Sequence, residues 1–337
     1  MELPSSHSPD WASRPADPYM RVRAAWALVS LSAACRATPI PAAQRYPAGT
    51  PFHAQYRTID GSRLRIIDSG NGTPVVLIHG IGASLYAWRY AVPPLVSAGY
   101  RVVAFDNRGF GFSDKPAHGY TTSDYARLVV ALLDSLGISS AVLIGHAMGG
   151  AIAAETALRH PDRVRGLVLI DAAGFGVSWP GVLKIARWPF VGAIATSFRS
   201  RWITGRILRS TYAVPEKVTA GDVDQYYAPV PDPYFGVALR GVLHEFRFDS
   251  LGGGRLASLQ APTLIVWGEA DRWISVRDGS RFSRELPRSA FVVLPHTGHA
   301  AAEESHDEVN RLLLDFLKVG LARIPENVAV AAPAGKP

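Results

Sequence analysis

The residues best able to do chemistry in this chain stand in the run Leu143-Ile144-Gly145-His146-Ala147-Met148-Gly149-Gly150. The run follows an apolar strand pattern and opens a helical one rich in small residues. With serine at its centre it would be a G-x-S-x-G elbow, a tight strand-to-helix turn that holds a nucleophile at a sheet edge. Gly145 and Gly149 suit that turn, because neighbouring backbone crowds it and side chains there would clash. The central residue, however, is Ala147. A methyl group has no lone pair, so the chain as written cannot perform serine-type acyl transfer.

The other parts such a nucleophile would need follow in order. His79-Gly80-Ile81-Gly82 comes after a strand and reads as an oxyanion loop. There the N–H of Ile81 would act with that of Met148, the residue after the nucleophile position. Asp271, in Val266-Trp267-Gly268-Glu269-Ala270-Asp271, offers the acid, and His299, closing Pro295-His296-Thr297-Gly298-His299, offers the base. Asp171, which also ends a strand, is an alternative acid whose bland reading is a loop-stabilising carboxylate. His146 reads as a structural partner behind the elbow, and His79 as orienting its loop. His296 and His306 read as spectators. No cluster has metal-ligand spacing, so no metal is implied, and the chemistry calls for no cofactor.

Ala147 leaves two explanations open. Either a serine was exchanged for alanine to trap an uncleaved ligand, or the natural protein lost hydrolysis and kept its pocket as a receptor. Retention of both elbow glycines, Asp271, His299 and the oxyanion loop favours the first. A His–Asp pair can also abstract a proton without a nucleophile, which keeps cofactor-free lyase chemistry in view.

Positioning these groups requires a regular frame. β-branched runs predict strands over 55–60, 64–68, 75–79, 102–106, 141–145, 166–171, 263–268 and 290–295, with helical stretches near 85–97, 123–136, 150–160, 276–285 and 304–319. Val75-Val76-Leu77-Ile78 and Leu167-Val168-Leu169-Ile170 are continuously apolar, as strands covered on both faces are. The expected fold class is α/β, with a mostly parallel, doubly wound sheet. The core is expected over 53–171 and 259–320. The alternation breaks over 172–258, an aromatic, Arg-rich insert that reads as a helical cap over the sheet. Most of its aromatics would pack the cap onto the body. Trp179, Trp188 and Trp202 are the expected substrate contacts, in a cleft suited to an apolar substrate.

Taken together, these pieces resemble the α/β-hydrolase superfamily in its cap-bearing, esterase-like branch. Phe105-Asp106-Asn107-Arg108-Gly109-Phe110-Gly111-Phe112-Ser113 matches the D-x-R-G-x-G-x-S loop of that family, and Arg159-His160-Pro161-Asp162-Arg163 is similar to its junction after the elbow helix. The similarity runs from about Tyr56 to Leu317. It implies the chain order nucleophile position, acid, base, and cleavage of a small apolar carboxylic ester or lactone by a serine form. A C–C bond hydrolase of the same fold and a non-hydrolytic binding protein are the alternatives. Ser275 and His306 stand where the family often has proline.

Composition bounds the rest. The 337 residues are 48% hydrophobic and 19% charged, which excludes disorder for most of the length, and one cysteine excludes a disulfide framework. A net charge of +7 without a dense basic stripe suits an acidic partner or environment better than nucleic acid. Residues 1–35 read as an upstream segment plus a signal-like peptide: Met20-Arg21-Val22-Arg23, an apolar stretch over 24–34, then Cys35. Cys35 is the expected lipidation site, which would make the chain an exported or membrane-anchored lipoprotein. Residues 36–52 read as a Pro-rich linker and 321–337 as a flexible tail. Oligomeric state leaves no mark in the sequence.

Overall fold

The computed structural model describes residues 53–178, 199–319 and 328–329, together with 184, 188, 192 and 196. The expected leader with Cys35, the linker to residue 52, most of the tail and Trp179 lie outside the described residues.

Among the described residues, one nine-stranded sheet forms the frame. Its strands are β1 (Gln55–Ile59), β2 (Ser62–Ser69), β3 (Pro74–Ile78), β4 (Arg101–Phe105), β5 (Ala141–His146), β6 (Val164–Ile170), β7 (Thr263–Gly268), β8 (Ser289–Leu294) and β9 (Val328–Ala329), in the spatial order β1-β2-β4-β3-β5-β6-β7-β8-β9. β1 and β2 form an antiparallel hairpin, β2 pairs antiparallel with β4, and every later pairing is parallel. The hairpin closes on two residues, Asp60 and Gly61, both at positive φ (46° and 72°). A tight two-residue turn needs that backbone to match the strand twist.

Alternation along each central strand divides the core. Val76, Ile78, Val103, Phe105, Leu143, Leu167 and Leu169 face one layer, while Val75, Leu77, Val102, Ala104, Val142, Ile144, Val168 and Ile170 face the other. The first layer is covered by α2 (Thr122–Ser135), α3 (Met148–Arg159) and α7 (Val276–Glu285). The second is covered by α1 (Val92–Ser97), α8 (Ala301–Glu304) and α9 (His306–Lys318). Burial on both faces is why these strands read as unbroken apolar runs.

Between β6 and β7 the described part of the insert forms α4 (Arg201–Ser210), α5 (Ala220–Tyr227) and α6 (Phe235–Glu245). Thr219 starts α5 with a capping box: its hydroxyl accepts the Asp222 N–H while Asp222 accepts the Thr219 N–H. Because β3 and β5 to β8 run parallel, the residues that follow them (His79, Ala147, Asp171, Asp271 and His299) all emerge at one edge. That carboxyl edge is where open α/β sheets bind ligands.

Candidate active site

Ala147 joins β5 to α3 with φ 52° and ψ −117°, a backbone that residues other than glycine rarely adopt. Strain of this kind costs on the order of 1–3 kcal/mol and persists where the surroundings enforce it. They do so here through glycines. A β-carbon on Gly145 would lie 2.2 Å from the Gly149 carbonyl oxygen, and one on Gly149 would lie 2.0 Å from that of Ile78. The turn is the expected elbow, with the Ala147 methyl at its apex.

The loop after β3 lies against that methyl, since a β-carbon on Gly80 would come within 3.0 Å of it. His79 holds the loop: its Nε2 accepts the Asn107 N–H (2.9 Å), its Nδ1 donates to the Gly80 carbonyl (2.8 Å), and Asn107 Nδ2 donates to the His79 carbonyl (2.8 Å). Burial pushes the His79 pKa down, so the ring is a neutral fastener, as the sequence suggested. Asp106, which opens the D-x-R-G loop, accepts the N–H groups of Leu85 and Phe112 and pairs with buried Arg65 at 2.8 Å. Among the described residues, the amides of Ile81 and Met148 donate to no backbone acceptor. Met148 is the first residue of α3, where a helix leaves its N–H groups unpaired and its dipole favours negative charge.

Asp271 and His299 are brought together. His299 Nδ1 lies 2.8 Å from Asp271 Oδ2, and the other carboxylate oxygen accepts the N–H groups of Trp273 (2.7 Å) and Ile274 (3.0 Å). The Trp273 ring stacks on the imidazole with centroids 5.5 Å apart and planes 4° from parallel. The imidazole also meets the His146 ring at 5.0 Å, and His146 Nε2 donates to the His299 carbonyl at 2.7 Å. Desolvation, with the adjacent His299, drives the His146 pKa down to about 3, so it serves as a neutral prop behind the elbow.

Asp171 stands elsewhere. Its oxygens accept the N–H groups of Gly268 (2.8 Å) and Ala301 (3.2 Å), tying the loops after β7 and β8 together, and it does not bond His299. Burial and the neighbouring Asp271 charge push its pKa well above the usual carboxylate range. His306 stacks on Tyr90 at 4.0 Å, and His296 sits on an exposed turn.

A cleft opens over the elbow, with about 1240 Å³ of empty space including its mouth. Gly80, Ile81, His146, Ala147, Trp273 and His299 form its floor. The cap supplies the walls through Ile203, Ile207 and Leu208 of α4, with Val230, Phe235 and Leu239. The tryptophans expected there need correction. Trp202 and Trp188 are exposed and outside the lining, because on α4 the inward face is set by Ile203 and Ile207, and Trp202 falls on the opposite side.

Sequence reasoning missed a buried network at the cleft's rear. Arg89 donates to Asp222 (2.9 Å) and to Glu303, Tyr86 donates to Asp222 (2.8 Å), and Tyr226 donates to Glu303. Glu304 accepts the N–H groups of Gly298, Ala213 and Val214, joining the His299 loop to the cap. The one available signal was the acidic pair Glu303-Glu304 a turn after His299. Arg89 and Asp222 lie 133 residues apart, and nothing local links them.

Comparison with known proteins agrees with this fold. A family model described as alpha/beta hydrolase fold matches residues 73–305. A 2-hydroxy-6-oxo-6-phenylhexa-2,4-dienoate hydrolase of Burkholderia cepacia is 29% identical over 77% of this chain and 92% of its own. A 2-hydroxy-6-oxononadienedioate/2-hydroxy-6-oxononatrienedioate hydrolase of Pseudomonas putida is 32% identical over 76% and 92%. Among solved structures, a serine-to-alanine mutant of the meta-cleavage product hydrolase of Pseudomonas fluorescens IP01, complexed with acetates, superposes with a TM-score of 0.70 at 30% identity, covering 79% of this chain and 97% of that one.

Proposed function

This chain belongs to the α/β hydrolase family, and from that premise we propose that its cleft binds an apolar acyl compound carrying a carboxylate, which a serine at position 147 would cleave at a C–C bond beside a ketone. The observation that carries the reading is the division of the cleft. Its cap wall combines aliphatic and aromatic side chains with the hydroxyl residues Thr196, Ser200, Thr204 and Thr211, and Arg199 is the one Lys or Arg that lines it among the described residues. The Arg199 Nε is buried without an acceptor, whereas its two terminal nitrogens donate to the carbonyls of Pro231 and Pro233. The guanidinium charge on the cleft wall would draw a ligand carboxylate, although Nε itself is closed to solvent-sized atoms. The similarity to hydrolases of oxo-dienoates supports the same substrate class.

In the serine form the hydroxyl oxygen would bond to the ketone carbon while His299 takes its proton, with Asp271 holding the imidazole tautomer. The amides of Ile81 and Met148 would brace the oxyanion. In the keto tautomer of such a substrate, collapse breaks the C–C bond, the electron pair delocalises through the unsaturated fragment onto its 2-oxo oxygen, and that fragment takes up the proton as the dienol. Water then releases the acyl group as a carboxylic acid by the same proton route. With Ala147 the first bond cannot form, and the chain holds its ligand uncleaved.

Hydrolysis of an apolar ester or lactone is the second reading. The two hydrogen bonds that already occupy Arg199, and the Glu303 carboxylate on the cleft wall, favour it, because an uncharged ester needs no cation. Assaying Ala147→Ser against 2-hydroxy-6-oxo-6-phenylhexa-2,4-dienoate and an aryl butyrate separates the two. A kcat/KM at least tenfold higher for the dienoate, lost on Arg199→Met, is expected. Preference for the ester with Arg199→Met silent would establish the second reading, and cleavage of neither would refute both.

A further inference from the structure

The helix that walls the cleft presents a different chemistry to its outer side. Along α4, Ile203, Thr204, Ile207 and Leu208 line the cleft, while Arg201, Trp202, Arg206, Arg209 and Ser210 are exposed. Trp202 is 68% exposed, with the Arg206 guanidinium over its ring at 5.2 Å. Arg201 pairs with Asp224, but Arg206 and Arg209 pair with no carboxylate among the described residues. The same insert exposes Trp188 (65%) and Tyr234 (62%).

Charge is biased in the same direction. Residues 172–258 hold ten Lys and Arg against six Asp and Glu, a net +4 of the chain's +7. Five of those six acids are engaged: Asp222 with Arg89, Asp224 with Arg201, Asp232 with Lys115, Glu245 with the backbone of Gly119 and Tyr120, and Asp249 with Arg247. Exposed tryptophan and tyrosine beside arginine is the composition that settles at a bilayer's headgroup layer, where rings enter the interface and guanidinium groups meet lipid phosphates. Each basic side chain close to an anionic surface adds to that attraction.

We infer that the outer face of α4, centred on Trp202, Arg206 and Arg209, docks the cap onto an anionic lipid bilayer. The opposite face of that helix then borders a cleft fit for apolar compounds, so a ligand dissolved in the membrane has a short way in. A nucleic acid would also meet the arginines, but it gains less than a lipid interface does from the exposed Trp202 ring beside them. Docking through the cap's surface is independent of which bond the site cleaves.

The test is flotation of the full chain with phosphatidylcholine vesicles, with and without 30% phosphatidylglycerol. The expected result is binding to the anionic vesicles that weakens at least tenfold in the triple variant Trp202→Ala, Arg206→Glu, Arg209→Glu. The control Arg277→Glu, Arg284→Glu reverses two exposed charges on core helix α7 and should bind within threefold of the parent. Any vesicle affinity conferred by the apolar stretch 24–34 is common to all three chains, so the comparison isolates the cap. All five side chains are exposed, and thermal melting within 2–3 °C of the parent would verify intact folding. Equal binding by the triple variant, an equal loss in the control, or equal binding to neutral vesicles would overturn the inference. So would tighter binding to duplex DNA than to anionic vesicles with Trp202→Ala silent.

Discussion

Replacing Asp271 by asparagine in the Ala147→Ser chain should reduce kcat by about four orders of magnitude while leaving ligand affinity nearly unchanged. The geometry gives the reason. Asp271 Oδ1 accepts two backbone N–H groups, from Trp273 and Ile274, and Oδ2 faces His299 Nδ1 at 2.8 Å. Asparagine has one oxygen, and the two amides will claim it because turning it away would strand two donors. Its NH₂ then faces Nδ1, which must become an acceptor, and the imidazole proton moves to Nε2. In that tautomer the base cannot take a proton from the hydroxyl. An aligned site with the wrong tautomer typically loses about 10⁴ in rate, or about 5.4 kcal/mol of barrier. Steady-state kinetics of the Ala147→Ser and Ala147→Ser/Asp271→Asn chains give the ratio, and calorimetric titration of an uncleaved ligand gives the affinity. In the Ala147 chain the same Asp271→Asn change should alter affinity less than twofold, since no proton moves there. A loss below tenfold for Asp271→Asn, with a larger loss for Asp171→Asn, would refute the assignment of the acid and return it to the end of β6.

Two further outcomes follow from the buried groups around the site. Arg89→Met leaves Asp222 and Glu303 facing each other without their shared cation. Stability should fall by about 3–5 kcal/mol, the usual cost of stripping a buried pair of one partner, read from guanidinium unfolding midpoints. His146 has a folded pKa of about 3 against its usual 6.5, so between those values the unfolded chain binds a proton that the folded chain refuses. Its contribution is fully present above pH 6.5 and is lost as pH falls toward 3, at up to about 1.4 kcal/mol per pH unit. His146→Gln should flatten the acid limb of a stability-versus-pH curve without abolishing the slope, because His79 is depressed in the same direction. An unchanged slope would show that His146 is protonated in the fold.

How much of this was legible in the chain depends on the range of the interaction behind each feature. Continuous apolar runs determined the parallel strands, since a strand buried on both faces cannot carry polar residues; β3 and β6 fell within a residue or two of their expected limits. The elbow was legible because Gly145 and Gly149 answer a crowding that arises within the turn itself and against β3. Asp271 and His299 were legible by chain order, which follows from each terminating a parallel strand at the same edge. The choice between Asp171 and Asp271 was not, because both end strands, and only the approach of the loop after β8 decides which carboxylate meets the imidazole. The cap was legible as an insertion but not in its facing. Its aromatic content suggested tryptophans in the cleft, whereas the phase of α4 against the core turns Ile203 and Ile207 inward and Trp202 outward. The Arg89–Asp222–Glu303 network lay furthest beyond reach. Its members are separated by 133 and 214 residues and share no periodicity, so only packing the cap on the sheet creates the low-dielectric space in which they must pair.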